Sequence, residues 1–193
     1  MAFLLNQGLL YSTKKDGTIL SGVLDLTYAY VEVKRTGKEE YPNINFCISI
    51  EKNNRYTSVY LQDHESLDEW LALLGPYCVQ RNFSSFYATE GLLGEGSYGS
   101  VFLVKNKRTK VLYATKAFSK QELEAKEDAY DAVTNEIEIM KRLGKEPNFT
   151  GYYGVFESTN SLYLVMEYVK GEPIFEIMNF RRFSEQKRAN ILD

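Results

Sequence analysis

Three glycines, a lysine and a glutamate have the residue types and the order of a phosphate-binding site. Residues 94–101 read Gly-Glu-Gly-Ser-Tyr-Gly-Ser-Val, and Lys116 and Glu136 follow them along the chain. Because glycine lacks a Cβ atom, its backbone can lie close to a polyphosphate and direct N–H groups at the oxygens. A lysine inside the apolar segment 111–118 is costly unless its ammonium meets a negative partner. The pattern therefore predicts a site for a phosphate-bearing ligand.

The elements after the glycines decide what kind of site this is. A dinucleotide-binding turn needs a helix directly after its glycines. Residues 101–105 and 111–118 instead read as two strands, separated by the polar turn 106–110. A strand, a glycine hairpin, a strand, a turn and a further strand form an antiparallel arrangement, which excludes the parallel βαβ unit.

A helix must supply the partner of Lys116. Residues 124–143 contain neither proline nor glycine and predict one long helix. Its apolar stripe consists of Val133, Ile137 and Met140. At about 100° per residue Glu136 falls on the edge of that stripe, whereas Glu138 falls on the opposite, solvated face. Glu136 is therefore the predicted partner of Lys116.

In this order the motifs of residues 86–193 resemble those of eukaryotic protein serine/threonine kinases. Glu167-Tyr-Val and the helix start Phe183-Ser-Glu185 resemble the basophilic and calmodulin-dependent branches. The resemblance implies an α+β fold, in which a five-stranded antiparallel sheet and one helix (αC) form the smaller lobe. The remaining residues would begin the larger lobe.

The resemblance also implies an ATP site with two catalytic side chains. Lys116 is expected to bind the α- and β-phosphates, and Glu136 is expected to hold its ammonium in place. The residues expected to bind the nucleotide are Leu93, Gly94, Gly96, Ser97, Gly99, Val101, Ala114, Lys116, Met166, Glu167, Val169 and Glu172.

The last four of these residues lie where the resemblance puts the hinge. Met166 would be the gatekeeper behind the adenine, although a plain core strand explains this residue equally well when it is taken alone. The backbone of Glu167 and Val169 would hydrogen-bond adenine, and Glu172 would reach the ribose hydroxyls.

Two kinase motifs are missing from the sequence. It contains neither an H-R-D-x-x-x-x-N loop nor D-F-G, and its one histidine is His64. Mg²⁺ is expected for the family, but its ligands are absent from these residues. We therefore expect the 193-residue chain alone to be inactive and to be a fragment of a longer reading frame. A non-catalytic scaffold is the alternative.

The first 80 residues predict strands followed by one helix. The segments 24–30, 46–50 and 57–61 alternate apolar and polar residues. A helical stripe then follows, with Asp63 as its N-cap and Gly75-Pro76 as its end; it consists of Leu67, Trp70, Leu71 and Leu74.

This plan resembles a partial pleckstrin-homology domain, an antiparallel β-barrel or sandwich with a C-terminal helix, over residues 1–80. A short linker, 81–85, would join it to the kinase domain. The resemblance lacks the first strand and the basic loop of lipid-binding members, although Lys14 and Lys15 remain. Phosphoinositide binding is therefore an alternative function, and an intramolecular contact between the two halves is expected.

Composition limits the partners. Residues 1–80 hold 7 Lys and Arg against 10 Asp and Glu, and residues 81–193 hold 16 against 16. Neither half is basic, so nucleic acid is excluded as a partner. Cys47 and Cys78 have no metal-binding spacing and are predicted to be buried thiols in a reducing cytoplasm. The expected partners are thus ATP, a protein substrate of the full-length form and, for the alternative function, a membrane that recruits the protein.

Overall fold

The computed structural model describes residues 2–6, 8–13, 19–37 and 43–171. The strands are β1 Ala2–Asn6, β2 Leu9–Thr13, β3 Ile19–Asp25, β4 Tyr30–Arg35, β5 Phe46–Lys52, β6 Arg55–Leu61, β7 Val79–Arg81, β8 Tyr87–Gly96, β9 Gly99–Asn106, β10 Leu112–Ser119, β11 Tyr152–Glu157 and β12 Ser161–Glu167. The helices are α1 His64–Leu74, α2 Phe83–Phe86, α3 Lys120–Glu124 and α4 Ala129–Leu143. Among these described helices none has the length and apolar character needed to cross a membrane.

The strands form two sheets. One has the order β1-β2-β3, and the other has the order β6-β5-β4-β7-β11-β12-β10-β9-β8. The run β11-β12-β10-β9-β8 is antiparallel at every pairing, as expected for the second half, but these five strands are part of the nine-stranded sheet and do not form a sheet of their own. β7 pairs in parallel with both β4 and β11, so it joins the strands of the first half to this sheet.

Two buried clusters form the core. The first lies between the two sheets and α1; its fully buried members are Leu26, Ala29, Ile48, Ile50 and Leu74, and Trp70 packs against it. The second lies between the antiparallel sheet and the helices α3 and α4; it includes Phe118, Leu123, Ala129, Val133, Ile137 and Leu164. The apolar alternation of β5 and the stripe of α4 predict which side chains enter these clusters, because only one face of each element is buried.

The caps of α1 agree with the sequence. The Asp63 side chain accepts a hydrogen bond from the backbone N–H of Ser66, with an N–O distance of 2.8 Å. Gly75 ends the helix, and its N–H donates to the carbonyl of Leu71. The N-cap predicted at Asp63 is confirmed.

The segment between the halves differs from the predicted linker. Residues 79–81 are strand β7, and Phe83–Phe86 form α2. The ring of Phe83 stacks on Tyr163 with 4.2 Å between centroids, and it also contacts Tyr87 and Phe156. A short polar segment reads as a connection because the residues that pair with it are distant in sequence.

No closed barrel is shown in the described part of the first half, since β4, β5 and β6 continue into the larger sheet.

The predicted strand over residues 24–30 is wrong, because a turn divides it. β3 ends at Asp25, whose side chain accepts a hydrogen bond from the backbone N–H of Thr27 at 2.9 Å. Tyr28 has a φ of 56°, in the left-handed region. An aspartate that binds the N–H two residues onward favours a turn over an extended strand. The alternation of apolar residues hid this local bond.

The long helix predicted over residues 124–143 is also wrong at its start. α3 ends at Glu124, and α4 begins at Ala129 after Asp128, which has a φ of 61°. The break lets Leu123 and Ala129 both enter the second core cluster, where each is 1% exposed. In one continuous helix Leu123 and Ala129 would point in different directions, so both could not be buried in the same cluster.

Candidate functional site

The strand register brings the predicted phosphate-binding residues into one row. Gly94 pairs with Val101 on β9, Val101 pairs with Lys116 on β10, and Lys116 pairs with Leu164 on β12. Paired residues of neighbouring strands have side chains on the same face of a sheet. Val101 and Lys116 therefore project from one face, beside the backbone of Gly94.

The ammonium of Lys116 contacts the carboxylate of Glu136. Its Nζ atom lies 2.6 Å from Oε1 and 2.7 Å from Oε2. The two side chains are 18% and 33% exposed, so the pair lies at the open face below the hairpin and outside the core. Nζ also lies 5.1 Å from the centroid of the Phe118 ring. The structure thus pairs Lys116 with the glutamate indicated by the helical spacing.

The glycine hairpin lies over this lysine. A Cβ atom added to Gly96 would be 4.0 Å from Cε of Lys116, so the hairpin backbone passes close to that side chain. Ser97 and Tyr98 form the tip between β8 and β9. Nζ of Lys126 lies 3.0 Å from the Ser97 carbonyl oxygen and 5.4 Å from the Tyr98 ring centroid. Sequence reasoning missed Lys126, because it belongs to no motif and only the fold brings it to the hairpin.

Two of the residues predicted to lie near adenine, Ala114 and Met166, occupy a second row. Ala114 pairs with Leu103 on β9 and with Met166 on β12, and Ala114 is 7% exposed. Leu93 is 46% exposed and lies at an irregularity in the pairing of β8 with β9. These side chains form an apolar edge next to the Lys116 row.

The residues predicted to form the hinge are described only in part. The backbone N–H of Glu167 donates to the carbonyl of Gly151 at 2.8 Å, and its carboxylate accepts from the N–H of Gly151 at 3.1 Å. Val169 is 66% exposed. Glu172 and the helix start predicted at Ser184 lie outside the described residues.

The site as a whole offers the Lys116 ammonium, the backbone of the glycine hairpin and an apolar edge. This set fits a polyphosphate attached to a flat ring, because the ammonium and the backbone N–H groups suit phosphate oxygens and the apolar edge suits the ring. The described residues contain no group of three or more His, Cys, Asp or Glu side chains placed to hold a metal ion.

Glu138 lies on the side of α4 away from Glu136, as predicted, and its side chain is 36% exposed, but it also contacts residues outside the helix. Its carboxylate accepts a hydrogen bond from the Tyr28 hydroxyl and lies 3.2 Å from Nζ of Lys141. The Tyr28 hydroxyl and the Lys141 ammonium hold the pKa of Glu138 below its ordinary value. The same hydrogen bond raises the pKa of Tyr28 to about 12. Helical periodicity reports which face of a helix is apolar and carries no information about a distant turn, so the sequence did not reveal the contact with Tyr28.

Comparison with known proteins identifies the family. A family model described as "Protein kinase domain" matches residues 87–193, which is more than half of the chain. The chain therefore belongs to the protein kinase domain family. It is similar to calcium-dependent protein kinase 2 of Arabidopsis thaliana, with 37% identity over 111 residues, covering 57% of this chain and 17% of the relative. It is also similar to Aurora kinase B of Mus musculus, with 35% identity over 102 residues, covering 52% of this chain and 29% of the relative. The chain spans less than a third of the length of these two relatives.

Proposed function

We propose that this chain is the ATP-binding portion of a protein serine/threonine kinase. In the longer protein the bound ATP supplies the γ-phosphate, which is transferred to serine or threonine hydroxyls of a protein substrate. The observation that carries the proposal is the contact of Lys116 with Glu136 beneath the glycine hairpin. The sequence contains neither H-R-D nor D-F-G, so the present residues are proposed to bind ATP without transferring its phosphate.

In this proposal each residue of the ATP site has a defined task. Lys116 can donate up to three hydrogen bonds, and Glu136 engages the ammonium from one side. Two of these bonds go to the Glu136 carboxylate, and the donor that remains can point to the α- and β-phosphates under Gly96. Glu136 thereby limits the rotamers of Lys116, and this preorganisation lowers the entropy lost on binding. Val101, Ala114 and Leu93 would pack on the adenine.

The first half is proposed to be a partial pleckstrin-homology-like domain. The support is the order of its elements: two antiparallel three-stranded runs, β1-β2-β3 and β4-β5-β6, are followed by α1, and all contribute to one core. Trp70 of α1 packs against that core. The family match covers residues 87–193 and does not include the first half, so the only support for this assignment is the order of the elements.

Replacing Lys116 with methionine tests the ATP site. Methionine keeps an unbranched side chain and removes the charge. Hydrogen bonds to a charged group contribute about 1.5–3 kcal/mol, so we expect ATP affinity to fall about ten- to a hundredfold. Calorimetric titration of the chain with ATP measures the dissociation constant.

The matched control is Lys105→Met. Lys105 lies on β9 and also pairs with a glutamate, with 2.8 Å between its Nζ and Oε1 of Glu90. This pair is half-exposed and belongs to neither row of the site, so ATP affinity should stay unchanged. Equal ATP affinities of Lys116→Met and the unmodified chain would contradict the proposed function.

A further inference from the structure

The helix α4 is held on two sides. Its inner side carries Glu136 and packs on the sheet through Val133 and Ile137, which are 1% and 9% exposed. Its other side carries Glu138 and Lys141, which contact Tyr28 of the first half. The Tyr28 hydroxyl donates to Glu138, and Nζ of Lys141 lies 4.4 Å from the Tyr28 ring centroid. One tyrosine thus meets both a carboxylate and an ammonium of the helix that presents Glu136.

Tyr28 is itself firmly placed in the turn between β3 and β4. Its backbone N–H donates to the Tyr77 carbonyl at 2.9 Å, and the neighbouring Ala29 N–H donates to the Leu26 carbonyl at 2.9 Å. Nζ of Lys52 lies 3.2 Å from the carboxylate of Asp25, the residue whose other oxygen caps the turn. A turn fixed by this many bonds has little freedom to follow a moving helix.

The same turn is tied to the antiparallel sheet through β7. The N–H of Val79 donates to the carbonyl of Ala29 at 2.9 Å, directly after Tyr28. Val79 also pairs with Val155 of β11, in the sheet that carries Lys116. The position of Tyr28 is therefore fixed relative to the sheet that carries Lys116. Because Tyr28 contacts Glu138, α4 is in turn held relative to that sheet.

We propose that Tyr28 is a positioning residue, through which the first half holds α4 in the orientation that keeps Glu136 on Lys116. The inference rests on the proposed ATP site. Glu136 and Glu138 are two residues apart on a rigid helix, so a rotation or outward swing of α4 breaks both contacts together. The first half thus supports nucleotide binding, and it does so without a residue of its own in the ATP site.

Tyr28→Phe isolates the hydroxyl, because phenylalanine keeps the ring beneath Lys141. If only the fraction of chains with α4 in place binds ATP with full affinity, the measured dissociation constant rises as that fraction falls. We expect Tyr28→Phe to raise the ATP dissociation constant about threefold, the change that follows from partial loss of a charge-assisted hydrogen bond at a half-exposed position. Hydrogen exchange of the α4 amides should become faster in the same variant.

The control is Tyr56→Phe, which removes the same type of bond elsewhere in the first half. The Tyr56 hydroxyl donates to Oε1 of Glu51 at 3.0 Å, and Tyr56 is 67% exposed. This variant should leave both the ATP dissociation constant and the exchange of α4 unchanged. A change equal to that of Tyr28→Phe would overturn the proposal, since any weakening of the first half would then suffice.

A double-mutant cycle with Glu136→Gln tests the route of the effect. If Tyr28 acts through Glu136, Tyr28→Phe should produce its threefold change in the unmodified chain and almost none in the Glu136→Gln background. An equal change in both backgrounds overturns the proposal, and so does an ATP dissociation constant unaffected by Tyr28→Phe while Lys116→Met raises it. If Lys116→Met itself has no effect, the proposed function fails first and the inference fails with it.

Discussion

Gly99→Ala is expected to abolish measurable ATP binding. A Cβ atom at position 99 would lie 2.2 Å from the carbonyl oxygen of Ala117 and 3.3 Å from Cδ1 of Phe118. The oxygen belongs to the backbone of β10, so it cannot turn away as a flexible side chain could. The start of β9 must therefore move off β10, and the hairpin that covers Lys116 moves with it.

Overpacking of this kind costs about 1–3 kcal/mol, so the chain should still fold while the hairpin is displaced. Titration with ATP and urea unfolding together measure the two effects. The matched control is Gly91→Ala on the same hairpin, because no atom lies within 4 Å of a Cβ added there. Retained ATP affinity in Gly99→Ala would show that the close approach of β9 to β10 is unnecessary for the site.

Of all the substitutions proposed, Phe118→Ala is expected to lower the free energy of unfolding the most. Phe118 is 0% exposed and is the largest fully buried side chain among the described residues. It packs with residues of α3, α4, β11 and β12 in the second core cluster. Replacing a buried phenylalanine with alanine removes its apolar contacts and leaves a cavity, which costs about 3–5 kcal/mol.

A typical domain is stable by about 5–15 kcal/mol, so this single change removes a large share of the total. Urea unfolding followed by tryptophan fluorescence and by circular dichroism measures the loss. Phe149→Ala is the control, because Phe149 is 51% exposed and its replacement should change stability by less than about 0.5 kcal/mol. Similar losses in the two variants would contradict the placement of Phe118 in the core.

The contact at the centre of the candidate site follows from sequence patterns. Lys116 stands in an apolar strand and needs a negative partner, and helical periodicity selects Glu136 over Glu138. Both inferences use only the local geometry of one strand and one helix, because the spacing of residues in each element decides which face a side chain lies on. The ATP-binding roles of these residues stay predictions, which the variants above test.

Three features of the fold escaped the sequence patterns for different physical reasons. The turn at Tyr28 includes a hydrogen bond that the Asp25 side chain accepts from the N–H of Thr27, and the alternation of apolar residues does not reveal it. The break before α4 depends on the burial of both Leu123 and Ala129. The strand β7 depends on two partners, β4 and β11, that are distant from it in sequence.

The sequence by itself determined the glycine hairpin, the antiparallel strands that exclude a parallel βαβ unit, and the pairing of Lys116 with Glu136. These are properties of short segments, because the periods of strands and helices are set by the backbone. Only the tertiary structure decided that β7 joins the two halves in one sheet and that Tyr28 meets Glu138. Such contacts arise when elements far apart in the chain pack together. Many residues contribute to the free energy of that packing, and no local sequence pattern marks them.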